Sequence, residues 1–332
     1  MSDVQEMLRR HAERVETVLE EMVPKNRDDY LSDGVWYQFD SGGKRLRPAL
    51  CLMSAEILGA DPDRAAPFAL ACEILHNFLL IHDDIEDGDR MRRDKPTLWV
   101  EFGVPNAINV SDYLIARAYS MILNGPLDAE TNRRLGSAYS FAFERTVEGQ
   151  ALDINLRGDD CVDLATYYKI VTHKTAFYLA LPWVGAAIMA GVSDADLEGF
   201  WELGRCMGPA FQIRDDIIDL TEGKGRGGEV GCDIREGKPS IFVAYCLERK
   251  TGTDDDRSQL LDIIRRAREE TTDADIQWTI DFFRETGALD FAQAEAQRFV
   301  DRTGEVLDGL AIPDDGKARF RDVARFVIDR KM

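Results

Sequence analysis

Ala71-Cys-Glu-Ile-Leu-His-Asn-Phe-Leu-Leu-Ile-His-Asp-Asp-Ile-Glu-Asp87 is the stretch that decides the fold of this chain. It is apolar on most sides, which is how a helix buried inside a bundle reads, and it ends on the carboxylates Asp83, Asp84 and Asp87. Positions i and i+4 share a helix face, so Asp83 and Asp87 point the same way with Asp84 about 100° round. Burying several like charges there is prohibitive without cations to neutralise them. Clustered hard oxygens of this kind suit Mg2+, which keeps several waters and bridges to substrate phosphates.

The same 3.6-residue patterning runs outward in both directions, and few segments alternate as half-buried strands do. An amphipathic, charged helix is expected at the N-terminus (1–22). The next starts at Pro48 and stops at Gly59, and the decisive helix itself spans 65–87. Proline in a first turn sacrifices no hydrogen bond. Further helices are expected over 110–123, 131–156, 164–172, 175–190, 194–220, 241–249, 255–269, 273–286, 288–310 and 317–328. Breaks between them are short Gly, Pro and Asp clusters, none a long linker, and no repeat or low-complexity segment is present. The expectation is one all-α domain over 1–332, with one conspicuous loop at 223–231 expected to be mobile.

Aspartate is abundant here, and a shuffled chain of this composition would hold about half of one DDxxD match by chance. There are three: 83–87, 159–163 and 215–219. The third follows the apolar run Gly208-Pro-Ala-Phe-Gln-Ile-Arg214, so Asp215, Asp216 and Asp219 read like the first set. The middle match follows Arg157-Gly158 in a polar stretch and reads as a solvated loop in which Asp163 caps the next helix. Cations accompany the outer two. Gly42-Gly-Lys-Arg-Leu-Arg-Pro48 places three at a helix entrance, where glycine allows close backbone approach and the helix start favours an anion. Arg92 and Arg93 follow the first motif, either as ion pairs or as fork-like phosphate ligands.

Composition narrows the functional classes. The 332 residues carry a formal charge of −20 and are 45% apolar, enough for a large core but a poor surface for nucleic acid. Six scattered cysteines with no CxxC pair read as buried free thiols in a reducing, cytoplasmic setting rather than a disulfide frame or zinc site. The uncharged stretch 176–192 is shorter than the roughly 20 residues a span requires and contains Pro182, so a core helix and no transmembrane segment are expected. Of the histidines, His11 is expected on an exposed helix, His82 as a structural hydrogen-bonding group, and His173 as positional.

With these residues together, the chain resembles the trans-isoprenyl diphosphate synthase (polyprenyl synthetase) family. The resemblance runs through GGKRLRP (42–48), HNFLLIHDDIEDGDRMRRDKPT (76–97), GQALD (149–153), HKT (173–175), FQIRDDIIDL (211–220) and GCDIREGKPS (231–240). It implies a homodimeric helical bundle whose two aspartate motifs face each other across a deep cavity. In that resemblance Asp83, Asp84, Asp87, Asp215, Asp216 and Asp219 hold Mg2+ on an allylic diphosphate, which Arg92, Lys174 and Lys238 also bind. Lys44, Arg47, His76 and Arg93 hold isopentenyl diphosphate, and Thr175 and Gln212 line the reacting centre. The implied reaction ionises the allylic C–O bond. Mg2+, Lys and Arg stabilise the leaving diphosphate, Gln212 and helix carbonyls stabilise the carbocation, and an apolar cavity excludes water.

Three positions depart from the family pattern: Asp94 and Ser111 stand where glycine is usual, and Glu229 where a lysine is usual four residues before Asp233. Lys224 and Arg226 are the cations able to substitute there. By the family's logic, bulky groups just before the first motif floor the cavity. Phe78 as the floor, with Leu79 equally well placed by helical geometry, points to a geranylgeranyl product, farnesyl being the alternative. A terpene cyclase would lack the isopentenyl site and the second DDxxD. A silent subunit of a heteromeric synthase is the reading that Glu229 favours.

Overall fold

A computed structural model describes residues 3–23, 25, 30–42, 45–221, 230–310 and 312–328. Lys44, Lys224, Arg226 and Glu229 therefore lie outside the described residues, as does most of the 223–231 loop. Among the described residues the chain forms sixteen α-helices and one two-stranded hairpin. In order these are α1 (Asp3–Met22), α2 (Tyr30–Asp40), α3 (Leu46–Ile57), α4 (Pro62–Glu86), β1 (Met91–Arg92), β2 (Lys95–Pro96), α5 (Leu98–Phe102), α6 (Val104–Leu123), α7 (Ala129–Asn155) and α8 (Leu164–Val171). They continue with α9 (Phe177–Met189), α10 (Asp194–Thr221), α11 (Cys232–Arg235), α12 (Ile241–Arg249), α13 (Asp254–Ile264), α14 (Asp273–Glu285), α15 (Ala288–Gly309) and α16 (Asp314–Ile328). A π-helical turn, Thr172–Ala176, fills the space between α8 and α9, and a 3-10 turn, Arg268–Glu270, follows α13. The all-α expectation holds.

The chain divides into two compact units, one of residues 1–143, 178–203 and 306–326, the other of 144–177, 204–305 and 327–332. In the first, α4 is the core: it packs against α3 and α6, and Ala69, Leu70, Ala71 and Ile74 are wholly buried. Burial of the larger two, Leu70 and Ile74, contributes about 1.5–3 kcal/mol each. It begins earlier than the apolar pattern alone predicts because the Asp61 carboxylate accepts from the Asp63 amide and Pro62 fits the first turn. Gly185 of α9 lets Phe68 approach so closely that a Cβ there would lie 1.9 Å from its ring. Trp183 packs edge-on to Phe320 and is fully buried, so 176–192 is core as expected. The described helix with the length and composition to cross a membrane is α4 instead, and 72% of its most apolar window is buried within the protein.

In the second unit the helix starts are capped chemically. Thr253 and Thr272 each form a reciprocal capping box, Ser240 caps α12, and Asp163 caps α8. The middle DDxxD thus contributes a cap, as expected, while Asp160 pairs with Arg265 at 3.0 Å. The helix expected over 255–269 ends at Ile264, where the Arg265 side chain turns back to donate to the Gly158 carbonyl.

Several expectations are corrected. α2 is not legible as a helix because Ser32-Asp33-Gly34 imitates a turn; Gly34 is there to let α2 lie against Val110 of α6. His11 is buried rather than exposed, 3.2 Å from Glu56, and burial lowers its pKa. All six cysteines are free thiols, but Cys161 is exposed.

Candidate active site

In the first unit, α4 presents its acidic end to the hairpin. Asp84 is 2% exposed, and the Arg92 guanidinium reaches its Oδ1 at 2.6 Å. Burial pushes the Asp84 carboxyl up to about 6, with Arg92 opposing the shift. Asp87 forms the C-cap of α4 and is also buried. Arg93 and Asp94 form the turn of the hairpin with φ of 51° and 62°. Two consecutive positive φ values define the hairpin turn in which glycine is preferred at the second position, which accounts for the departure at Asp94: aspartate tolerates that conformation better than most residues. The turn sends the Arg93 side chain to the Gly42 carbonyl, while Lys95 donates to the Asp40 carbonyl at 3.0 Å. Residues quoted for the diphosphate sites at 42–48 and 92–93 are thereby adjoining.

The two arginines of the 42–48 segment have different fates. Arg45, in a left-handed conformation before α3, is neutralised by Glu16 at 2.6 Å and Glu73 at 3.3 Å and donates to the Phe39 carbonyl. Arg47 is 6% exposed and has no carboxylate partner among the described residues. Its contacts are the Tyr178 hydroxyl, 3.0 Å from Nη2, and the Tyr178 ring, 4.8 Å from the guanidinium carbon. His76 stacks on the same ring with centroids 6.3 Å apart and planes 9° apart. Arg47 and His76 are therefore brought together, and Tyr178 is a member of the cluster the sequence did not single out.

Phe78 is buried, stacked on His82 at 4.4 Å and edge-on to Phe143 at 5.1 Å, whereas Leu79 is half-buried. His82 is a stacking partner rather than the expected hydrogen-bonding group, its Nε2 having no hydrogen-bond partner among the described residues.

In the second unit, the π turn carries His173, Lys174 and Thr175. Two glycines make room for it. A Cβ on Gly149 of α7 would stand 2.1 Å from the Lys174 nitrogen, and one on Gly208 of α10 would stand 2.6 Å from the Ala176 Cα. Single π turns inside helices recur at functional sites. Lys174 pairs with Asp153 at 2.6 Å, and His173 lies 3.5 Å from Glu148, in keeping with a positional role. Thr175 Oγ1 donates to Gln212 Oε1 at 3.3 Å, and Gln212 Nε2 donates to Asp216 Oδ1 at 3.1 Å. Asp216 Oδ2 accepts from the Tyr167 hydroxyl at 3.0 Å and from the Ile241 amide at 3.4 Å. Asp219, fully buried, accepts at Oδ2 from the Asp233 amide at 3.0 Å. Asp215 is half-exposed. Lys238 pairs with Glu236 at 2.5 Å and Asp233 at 3.5 Å. Asp153, Tyr167 and Asp233 are participants that the sequence reading missed. Asp153 and Asp233 carried a signal, lying within the quoted GQALD and GCDIREGKPS stretches.

The donor sets on α4 and α10 fit a hard divalent cation. They are all carboxylate, several are buried, and Asp84 is driven toward protonation where no metal neutralises it.

A family model described as polyprenyl synthetase matches residues 28–281. A short chain isoprenyl diphosphate synthase of Methanothermobacter thermautotrophicus is 33% identical over the whole of both chains. A geranylgeranyl pyrophosphate synthase of Geoglobus acetivorans is 31% identical, covering 98% of this chain and 99% of its own. Among solved structures, geranylgeranyl pyrophosphate synthetase from Pyrococcus horikoshii superposes with a TM-score of 0.86 at 29% identity, over 98% of this chain and 99% of that one. Motif order, helical fold and end-to-end similarity agree, and the chain belongs to the polyprenyl synthetase family of prenyltransferases.

Proposed function

We propose that this protein catalyses the Mg2+-dependent 1'-4 condensation of isopentenyl diphosphate with an allylic diphosphate, giving all-trans geranylgeranyl diphosphate. The observation that carries the reading is Arg47, a buried guanidinium without a carboxylate partner among the described residues. A buried cation in that state calls for an anion, and a diphosphate supplies one. In this reading Lys44, Arg47, His76 and Arg93 bind isopentenyl diphosphate. Arg92, Lys174 and Lys238 bind the allylic diphosphate, with Asp83, Asp84, Asp87, Asp215, Asp216 and Asp219 holding Mg2+ for it. When bound, the metal supplies electrostatic stabilisation of the departing diphosphate. Gln212 is oriented with its amide nitrogen on Asp216, so its carbonyl oxygen is the end available to a developing carbocation. Thr175 completes the same chain. Phe78 stops chain growth, with Leu79 beside it.

The end-to-end match to relatives supports one catalytic domain over 1–332. The exposed apolar side chains Val104, Ile108 and Leu123 of α6 support a homodimer, and six free thiols support a reducing, cytoplasmic setting. Purified protein, Mg2+, labelled isopentenyl diphosphate and dimethylallyl, geranyl or farnesyl diphosphate test the reading. A twenty-carbon diphosphate is the expected product, a fifteen-carbon end product would make it a farnesyl synthase, and no product from a folded dimer would make it a silent subunit.

A further inference from the structure

We propose that Tyr167 is a positioning residue for the second aspartate motif, fixing Asp216 and, through it, the amide of Gln212. Tyr167 lies on α8 and is 1% exposed, and its hydroxyl donates to Asp216 Oδ2 at 3.0 Å. Asp216 is held from three sides: by Tyr167, by the Ile241 amide in the first turn of α12, and by Gln212 one helical turn before it on α10. A carboxylate left to rotate about its terminal torsion has broad freedom; donors on both oxygens remove it. Gln212 can donate to Asp216 only with its carbonyl turned the other way, toward the Thr175 hydroxyl. The order Tyr167, Asp216, Gln212, Thr175 thus links two carboxylate oxygens and one amide in a chain that begins at the buried Tyr167 hydroxyl. This inference rests on the reading of Asp216 as a metal-holding residue.

The test is Tyr167→Phe, which keeps the ring and removes the hydroxyl, measured beside Asp216→Asn and the wild type. The first readout is calorimetric titration of Mg2+ with inorganic diphosphate, which needs no turnover. The second is the split of kinetic constants. Tyr167→Phe is expected to weaken Mg2+–diphosphate binding about tenfold and to raise the KM for the allylic substrate similarly, with the KM for isopentenyl diphosphate unchanged. Unchanged or tighter Mg2+–diphosphate binding by Tyr167→Phe, alongside a large loss in Asp216→Asn, overturns the positioning role alone. Unchanged binding in both variants overturns the metal-holding reading and the inference with it. Equal changes in both KM values would also overturn the proposal, since they would mark a general structural effect.

Discussion

Replacing Gly149 with alanine puts a methyl group where the backbone of the π turn already stands. The new Cβ would lie 2.1 Å from the Lys174 nitrogen and 2.6 Å from the His173 carbonyl carbon. Real Cβ contacts essentially never fall below 3.0 Å, so α7 and the turn must separate by at least about 0.9 Å. Neither side is a flexible side chain, and overpacking of this kind costs about 1–3 kcal/mol. The functional loss should be larger. Lys174 and Thr175 sit on the segment that has to move, and a displacement of about 1 Å at a reacting centre can cost about 100-fold in rate. Gly149→Ala is therefore expected to fold, to lose about 3 kcal/mol in urea unfolding, and to show kcat for condensation lowered about 100-fold. Gly304→Ala is the control, because its Cβ meets nothing within 4 Å and its φ is ordinary; helix propensity makes it neutral or stabilising by up to about 1 kcal/mol. A Gly149→Ala enzyme with kcat within about threefold of wild type would refute the idea that the π turn positions catalytic groups.

Two further outcomes follow from single residues. Phe78→Ala should lengthen the product by one or more five-carbon units, read by chromatography of the dephosphorylated products; an unchanged length would remove Phe78 as the floor, leaving Leu79. Asp84 gives a pH signature in metal-free protein. Its folded pKa of about 6 exceeds the ordinary aspartate value, so between about 4 and 6 the folded state holds more protons than the unfolded chain. Its stability should then fall as pH rises through that window and stay lower above it. In EDTA at pH 7.5, Asp84→Asn should be more stable than wild type by up to about 3 kcal/mol, with the gap closing near pH 4. Equal stabilities at pH 7.5 would contradict the burial cost.

Legibility in the sequence followed the range of the interaction. α4 could be read because its apolar run and its carboxylates are consecutive, and the Asp163 cap because its partner amide is three residues away. The π turn could not be read, since it depends on Gly149 and Gly208, distant in sequence and informative only once their backbones are seen against Lys174 and Ala176. The hairpin was hidden for the opposite reason: Arg93-Asp94 adopts the turn without the Asn-Gly or Asp-Gly signal that would announce it. Tyr178 lies more than 100 residues from Arg47 and His76, so no local pattern connects them. His11 was misplaced because the charges around it on α1 suggest a solvated helix, whereas its own position faces Glu56 of α3.

Arg45 and Arg47 show why motif membership and function have to be separated by energetics. Both are buried to nearly the same degree, and both sit in one cationic run that sequence alone treats as equivalent. Two carboxylates and a carbonyl hold Arg45, which ties α1, α2 and α4 to the start of α3. Its charge is satisfied, and it has little left to offer a ligand. Arg47 is held by a phenol and an aromatic face, contacts that orient a guanidinium without neutralising it. An ion buried without a counter-charge costs several kcal/mol; among the described residues Arg47 has none, and in the proposed reading an arriving diphosphate would relieve that cost. Because the orientation is already fixed by Tyr178, less of the binding energy is lost to ordering the side chain. Within the one segment 42–48, the arginine without a carboxylate partner among the described residues is the one proposed to meet a diphosphate.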